Sequence, residues 1–404
     1  MKYIAVLGYG TIGSGVVDLV MQNAQEITDT AGEEIKVKYI LDIRDFKGHV
    51  LSDLFVTDFT KICDDPEVSI VVEMIGGSHP AYDYTIAALR AGKHVVTSNK
   101  EVVANFGDEL LAEAKKHGVH YLFEASVGGG IPIIRPMCSS IVGDSVLQIS
   151  GILNGTTNYI FNRMEQDGIS LSVALADAQK KGYAEANPHA DISGMDAARK
   201  ICILAALGFG VLADPDDIYC KGIGDISVRD MQDAARLGKR IKLIARATKH
   251  EDGKLSLSVA PQMLGAENPL YNVCDVFNGV LVSARATGDV MFYGKGAGKY
   301  PTAAAVLSDI IAIAMDRAVR VPRIWERTAA DALADVAGAA EEATPFYLSF
   351  KGSEAPSFAT ATVSEEDGVL AVLTKPMTES ALEQACQAEK IGICSAIRLD
   401  AYEG

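Results

Sequence analysis

Lys2-Tyr-Ile-Ala-Val-Leu7, followed at once by Gly8-Tyr-Gly10-Thr11-Ile12-Gly13-Ser-Gly15, decides the fold of this 404-residue chain. The first six residues are an apolar run of β type, and Val16 to Met21 continues as an amphipathic stretch, so the order is strand, glycine turn, helix. Each glycine has a task. Gly8 permits the tight turn, Gly10 lets the backbone approach a pyrophosphate, and Gly13 lets helix and strand pack closely. The N–H groups at the helix start, around Thr11 and Ile12, then face the phosphates. A lone GxGxxG pattern says little, but directly after a strand and before a helix it marks a dinucleotide site.

Working outward, the strand Ile35 to Leu41 should end where an adenosine ribose lies, and Asp42, Arg44, Asp45 and Lys47 stand there. A carboxylate favours the ribose hydroxyls of NAD, whereas Arg44 with Lys47 suits the 2′-phosphate of NADP. The mixture points to NADP or to use of both. Val68 to Ile75 is apolar except for Ser69 and Glu73, as suits a buried parallel strand, and stops at Gly76-Gly77-Ser78. His94 to Thr97 stops likewise at Ser98-Asn99-Lys100. Ligands of open parallel sheets lie beyond the carboxyl ends of the strands, so Gly76, Gly77, Ser98, Asn99 and Lys100 belong to the nicotinamide side.

Hydrophobic residues make up 49% of the chain and charged ones 22%, ordinary values for a globular protein of two or three domains. A net charge of −16 without any basic run argues against binding nucleic acid or an anionic membrane. No apolar stretch reaches the roughly 18–20 residues of a membrane span. The immediate strand leaves no room for a signal peptide, and seven cysteines without a CxxC pair read as reduced thiols, so the expected compartment is the cytoplasm.

Alternation of strand and helix breaks at Glu124-Ala-Ser-Val127-Gly-Gly129-Gly-Ile131-Pro. This loop exposes successive carbonyls beside Glu124; it is either a cage for a monovalent cation or a plain hinge. A strand from Gln148 to Leu153 then leads into Asn154-Gly155-Thr156-Thr157-Asn158, which opens a helix through Met164. That helix start suits an amino-acid carboxylate, although N-capping alone explains the threonines. Strands are expected at 241–248, 255–261, 273–277 and 280–286, in a second domain. Gly294 to Thr302, including Gly298, is a second glycine loop and opens an apolar helix, Ala303 to Ala318, expected to return to the first domain. After the alanine-rich stretch 329–343, read as linker or helix, strands at 346–351, 369–374 and 394–399 with a helix at 379–388 suggest a small α+β module.

Gly182 to Lys200 is the densest polar segment, holding Tyr183, Glu185, Asp191, Asp196 and Lys200. Asp196 and Lys200, four apart, share a helix face. Several carboxylates and one ammonium can thus converge on a small polar substrate; on the pair alone, the alternative is an ordinary surface ion pair.

In order along residues 1–325, the Gly8 turn, Thr97-Ser-Asn-Lys100, Glu124-Ala-Ser-Val-Gly, Asn154-Gly-Thr-Thr-Asn158, the segment from Gly182 to Lys200, and Gly296-Ala-Gly298 with Pro301-Thr302 resemble homoserine dehydrogenase. The resemblance implies NAD(P)-dependent interconversion of L-homoserine and L-aspartate 4-semialdehyde, in the route to threonine and methionine. It makes Lys200 and Lys100 an acid/base pair. Glu185, Asp191 and Asp196 become residues that orient the substrate, and Gly155, Thr156 and Tyr183 line its pocket. Glu124 with the carbonyls of Val127, Gly129 and Ile131 matches a sodium site. It also implies a homodimer or higher homo-oligomer formed through the substrate domain. Asn187 stands where aspartate is frequent, and Ser98 where alanine is usual.

The expected fold is therefore α/β: a Rossmann-type domain over 1–130 with a return helix in 299–325, an α+β substrate and dimerisation domain over 131–298, and the module at 340–404. Some family members end in an ACT domain, but the Asp-Arg-Pro-Gly turn is missing here, so the module is at most a degenerate form of it. A lysine base is scarce at neutral pH, which predicts faster oxidation of homoserine at alkaline pH. The rival readings are another Rossmann amino-acid oxidoreductase and a non-catalytic nucleotide sensor, which would leave the carboxylate and lysine cluster without a task.

Overall fold

A computed structural model describes residues 1–329, 332–333 and 343–400. Most of the stretch 329–343, read as linker or helix, lies outside the described residues, as do the two ends of the segment 340–404. The chain forms two units by contact: Met1–Asp144 with Ile203–Asp214 and Gly294–Arg327, and Ser145–Cys202 with Pro215–Tyr293 and Thr328–Gly404.

In the first unit β1 (Lys2–Leu7), β2 (Ile35–Leu41), β3 (Phe55–Val56), β4 (Val68–Glu73), β5 (His94–Thr97) and β6 (Tyr121–Leu122) form a parallel sheet ordered β3-β2-β1-β4-β5-β6. The order reverses between β1 and β4, which opens a crevice at the carboxyl ends of those strands. Ile4, Val6, Ile70, Val72 and Val96 fill the core with Val16, Val17 and Val20 of the helix Thr11–Gln22. The late helix Lys299–Ala314 adds Ala303, Val306 and Ile310 to that core. It approaches closely because Gly15 has no side chain: a Cβ there would stand 3.1 Å from the Cβ of Ala303.

The remaining strands are β7 (Val146–Ile152), β8 (Val211–Ala213), β9 (Tyr219–Cys220), β10 (Arg240–Lys249), β11 (Leu255–Leu264), β12 (Phe277–Ala284), β13 (Gly288–Lys295), β14 (Glu326–Thr328), β15 (Phe346–Lys351), β16 (Ala359–Glu366), β17 (Val369–Thr374) and β18 (Ile393–Leu399). β8 pairs with β14, and the others form one sheet ordered β13-β12-β7-β10-β11-β18-β15-β17-β16, with β9 against β11.

Three details differ from the sequence reading. Residues 273–276 are a turn rather than a strand, because the Asn158 side chain draws the carbonyls of Val273, Asp275 and Phe277 inward at 3.2, 3.0 and 3.0 Å. β13 and β16 were not expected; Ala359-Thr-Ala-Thr-Val-Ser364 alternates, but its apolar positions are two alanines and a valine, a weak signal. Nor is the C-terminal module a separate sheet, since Gln262 and Met263 of β11 pair with Arg398 and Leu399 of β18. Side chains reinforce that seam. The buried Asp233 carboxylate accepts from Tyr347 Oη at 2.8 Å and Ser364 Oγ at 2.7 Å, and Asp400 accepts from Arg246 at 2.7 Å and Asn268 at 2.6 Å.

Candidate functional site

The glycine turn has the geometry its sequence calls for. Gly8 has φ +90°, and a Cβ there would stand 2.9 Å from the Met74 carbonyl oxygen. A Cβ on Gly13 would collide with the carbonyl oxygen of Gly8, so the first turn of the helix lies directly on the loop. Around Gly10, Gly76 and Gly77 the same construction meets open space, which leaves room for a ligand to approach. Thr11 and Ile12 begin the helix, and Gly298 is the N-cap of Lys299–Ala314.

At the end of β2, Asp42 accepts the Tyr9 N–H at 2.8 Å and pairs with the Arg44 guanidinium at 2.8 Å. Arg44 also donates to the Tyr9 carbonyl at 2.8 Å. Hydrogen bonds from Arg44 hold the Asp42 carboxyl down at about 2. A carboxylate and an exposed guanidinium thus stand together where the ribose is expected.

The nicotinamide side is braced by a residue that the sequence reading passed over. Glu73, fully buried at the end of β4, accepts from Ile75 N at 2.6 Å and from Thr97 Oγ1 at 2.7 Å. Burial pushes its carboxyl up to about 7, against the downward pull of those hydrogen bonds. Asn99 completes the brace: its Nδ2 donates to the carbonyls of Ile75 at 2.9 Å and Gly77 at 2.8 Å, and its Oδ1 caps the helix Lys100–Lys116. Lys100 is therefore the first helical residue, and Ser98 beside it donates to Met74 Sδ at 3.5 Å. An acid inside an apolar strand, just before a glycine loop, was the signal for Glu73.

In the second unit the helix Met195–Phe209 carries Asp196 and Lys200 on one face. Lys200 Nζ donates to Asp196 Oδ2 and to the Leu153 carbonyl, each at 2.7 Å. Asn154 Nδ2 donates to the same Asp196 oxygen and to Asp191 Oδ1, also at 2.7 Å. With its other atom, Asn154 accepts the Thr157 N–H at 2.8 Å and caps the helix Gly155–Asp167. Asn154, Asp196 and Lys200 are 5%, 6% and 9% exposed, so this is no surface ion pair. Burying a carboxylate and an ammonium is tolerable only when each is paired and hydrogen-bonded.

The other expected pocket residues divide. Gly155 lies against the turn 273–276, where a Cβ would meet the Val276 carbonyl oxygen at 2.8 Å, and Thr156 Oγ1 donates to the Tyr183 carbonyl at 2.6 Å. The Tyr183 ring meets Tyr159 edge-on at 5.0 Å and stays 43% exposed. Glu185 is exposed, and no recorded hydrogen bond or ion pair joins its carboxylate to Asp196 or Lys200.

In the loop after β6, Glu124 is buried, and its carboxylate accepts the N–H groups of Ile133 at 2.7 Å, Ile134 at 2.8 Å and Arg135 at 2.8 Å. Gly128 and Gly129 are left-handed, with φ +73° and +56°. Among the described residues no hydrogen bond runs to the carbonyls of Val127, Gly129 or Ile131.

Comparison with known proteins shows what the chain is similar to. Residues 132–311 match the family model described as homoserine dehydrogenase, and residues 8–124 match its NAD binding domain. A homoserine dehydrogenase of Synechocystis is 44% identical over 77% of this chain and 72% of its own. One of Bacillus subtilis is 41% identical over the same shares. Among solved structures, a homoserine dehydrogenase from Thiobacillus denitrificans superposes with a TM-score of 0.88 at 34% identity, covering 99% of this chain and 98% of that one. A hyperthermophilic archaeal homoserine dehydrogenase in complex with NADPH gives 0.66 at 27% identity, over 78% of this chain and 98% of that one.

Proposed function

Because the chain belongs to the homoserine dehydrogenase family of NAD(P)-dependent oxidoreductases acting on a CH–OH group, we propose that Lys200, held by Asp196 and Asn154, is the group that moves the proton of the homoserine hydroxyl. The observation that carries this is the shared Asp196 oxygen, 2.7 Å from both Lys200 Nζ and Asn154 Nδ2. A lysine fixed at two points in a buried site has the rigidity that proton transfer requires. In oxidation, neutral Lys200 takes the hydroxyl proton; in reduction, its ammonium returns a proton to the nascent alkoxide. When bound, the nicotinamide supplies the hydride acceptor. Lys100, the first residue of the helix after β5, is taken as a second cation on the nicotinamide side of the first unit.

The substrate's two charged ends have counterparts. The start of Gly155–Asp167, with Thr156, suits the carboxylate, because unpaired N–H groups and the helix dipole favour an anion there. Asp191, Asp196 and the exposed Glu185 suit the ammonium. Tyr183, tied to Thr156, borders the pocket.

Asp42 and Arg44 together favour use of both coenzymes. Asp42 is a ready acceptor for a ribose hydroxyl, and the exposed Arg44 can turn to a 2′-phosphate. For the loop at 127–131, the three carbonyls suit a monovalent cation, and Glu124, saturated by three N–H groups, shapes the loop rather than supplying the main ligand. Such a cation would stiffen the loop and take no part in hydride transfer. Pairing into a homodimer through the second unit is part of the same proposal; sedimentation of the purified chain tests it.

The reading is tested by following coenzyme reduction when L-homoserine, L-serine or L-threonine is added with NAD+ or NADP+. Reduction with homoserine alone, and with both coenzymes, supports it. No reduction by protein that still binds coenzyme overturns it.

A further inference from the structure

The first unit holds a second large concavity, away from the coenzyme turn. It has a volume of about 910 Å³ and lies between the end of the helix Lys100–Lys116, the start of β6 and the segment 320–325. That helix runs antiparallel to the sheet strands, so its last turns, with Val119 and His120 ahead of β6, lie at the amino ends of the strands. Coenzyme sites of this fold use the opposite, carboxyl ends. The cavity therefore has no assigned ligand in the reaction.

Its lining is amphipathic. Val119, Val321, Ile324 and Trp325 supply an apolar surface, and Lys115, Arg320 and Arg323 supply cations. Among the described residues no ion-pair partner is recorded for these three, whereas the acids in the lining are engaged: Asp108 pairs with Arg327 at 2.7 Å and Glu109 accepts from Tyr82 at 2.7 Å. Three uncompensated cations around one concavity are conspicuous on a chain of net charge −16. All three are exposed, and with Lys116 they outnumber Asp108 and Glu109 in the lining, so the local field favours an anion. Trp325 is 6% exposed, and its Nε1–H has no hydrogen-bond partner. The nitrogen itself lies beneath the surface, so Trp325 offers the cavity its ring rather than its N–H.

We infer that this cavity is a second binding site, for a small monoanion with an apolar body, such as a medium-chain or aromatic carboxylate, held by Arg320, Arg323 and Lys115 over Trp325. The volume lies within the range of small-molecule sites, and the mixture of a largely apolar wall with a few polar anchors is typical of them. A bound anion would also touch the coenzyme side indirectly. Trp325 packs where Gly107 has no side chain, and Gly107 belongs to the helix whose first residue is Lys100.

Trp325 is the single tryptophan of the chain, so it reports on the cavity directly. The test uses the full-length protein with 8-anilinonaphthalene-1-sulfonate as probe, exciting the tryptophan and reading probe emission, with octanoate and octan-1-ol as competitors. The expected result is saturable energy transfer that octanoate displaces and octan-1-ol displaces far less. An Arg320→Ala/Arg323→Ala variant, checked for wild-type coenzyme binding, should bind the probe about tenfold more weakly. Trp325→Phe should abolish transfer while directly excited probe still binds. Probe binding without transfer, equal competition by octan-1-ol, or unchanged affinity in the arginine variant would overturn the assignment.

Discussion

Asn154 Nδ2 lies 2.7 Å from Asp196 Oδ2, the oxygen that also receives Lys200 Nζ. One amide thus fixes the partner of the lysine, and its Oδ1 caps the adjoining helix. The two tasks separate by substitution. Asn154→Ser and Asn154→Ala both lose the buried bond to Asp196, but the former keeps an N-cap and should be about 1 kcal/mol more stable than the latter. Both lose the bridge to Asp191 and Asp196, so both should lower kcat at least tenfold. Thermal unfolding beside kcat distinguishes the two roles.

Thr156 Oγ1 donates to the Tyr183 carbonyl at 2.6 Å, which fastens the exposed loop to the helix start. Thr156→Val keeps the shape and removes one hydrogen bond, worth about 1 kcal/mol. KM for L-homoserine should rise about fivefold with coenzyme affinity unchanged. Titration of both ligands by initial rates checks this.

Arg44 is 57% exposed and paired to Asp42. Arg44→Ala should weaken NADP+ binding by about tenfold and leave NAD+ nearly as it was, since only the former offers a phosphate for the guanidinium. The Asp42 carboxyl, held at about 2, lies below its unfolded value near 4, so the pair's contribution is present above pH ~4 and is lost as pH falls through ~2. Acid unfolding of Arg44→Ala should begin no later than that of the wild type.

Glu73 and Asp309, a buried residue of the helix Lys299–Ala314 that accepts the Glu124 N–H at 2.9 Å, behave in the opposite sense. Burial pushes each carboxyl up to about 7, from ordinary values near 4. Their folded forms hold protons that the unfolded chain releases, so this contribution is full below pH ~4 and lost as pH rises through ~7. Stability of the first unit should therefore decline from pH ~4.5 to ~7 apart from other groups, and Glu73→Gln should flatten the decline. Urea unfolding at closely spaced pH values measures the slope.

What the sequence disclosed was local. The Gly8 turn is legible because each glycine answers a steric demand of its immediate neighbours, and Asp196 with Lys200 because helix geometry fixes residues four apart. The roles of Glu73 and Asn154 escaped notice because they are long-range: Glu73 reaches Thr97 on the neighbouring strand, and Asn154 reaches Asp196 across 42 positions. The sequence reading gave the capping to the threonines, whereas Asn154 is the cap and also bridges Asp191 and Asp196. β16 was missed for a different reason, since its alternating positions Ala359, Ala361 and Val363 are small and its pairing with β17 lies outside the local sequence. The joint between β11 and β18 is likewise invisible locally, and with it the fact that the C-terminal module extends the sheet of the second unit.

The most direct test of the central claim compares wild-type protein with Lys200→Ala, at matched coenzyme saturation and with L-homoserine as substrate. A positioned acid/base group predicts a fall in kcat of ~10²–10⁴ with coenzyme affinity nearly unchanged. Turnover at the wild-type level by Lys200→Ala would contradict the account, because the buried pair of Asp196 and Lys200 would then be structural and the proton would leave by another group.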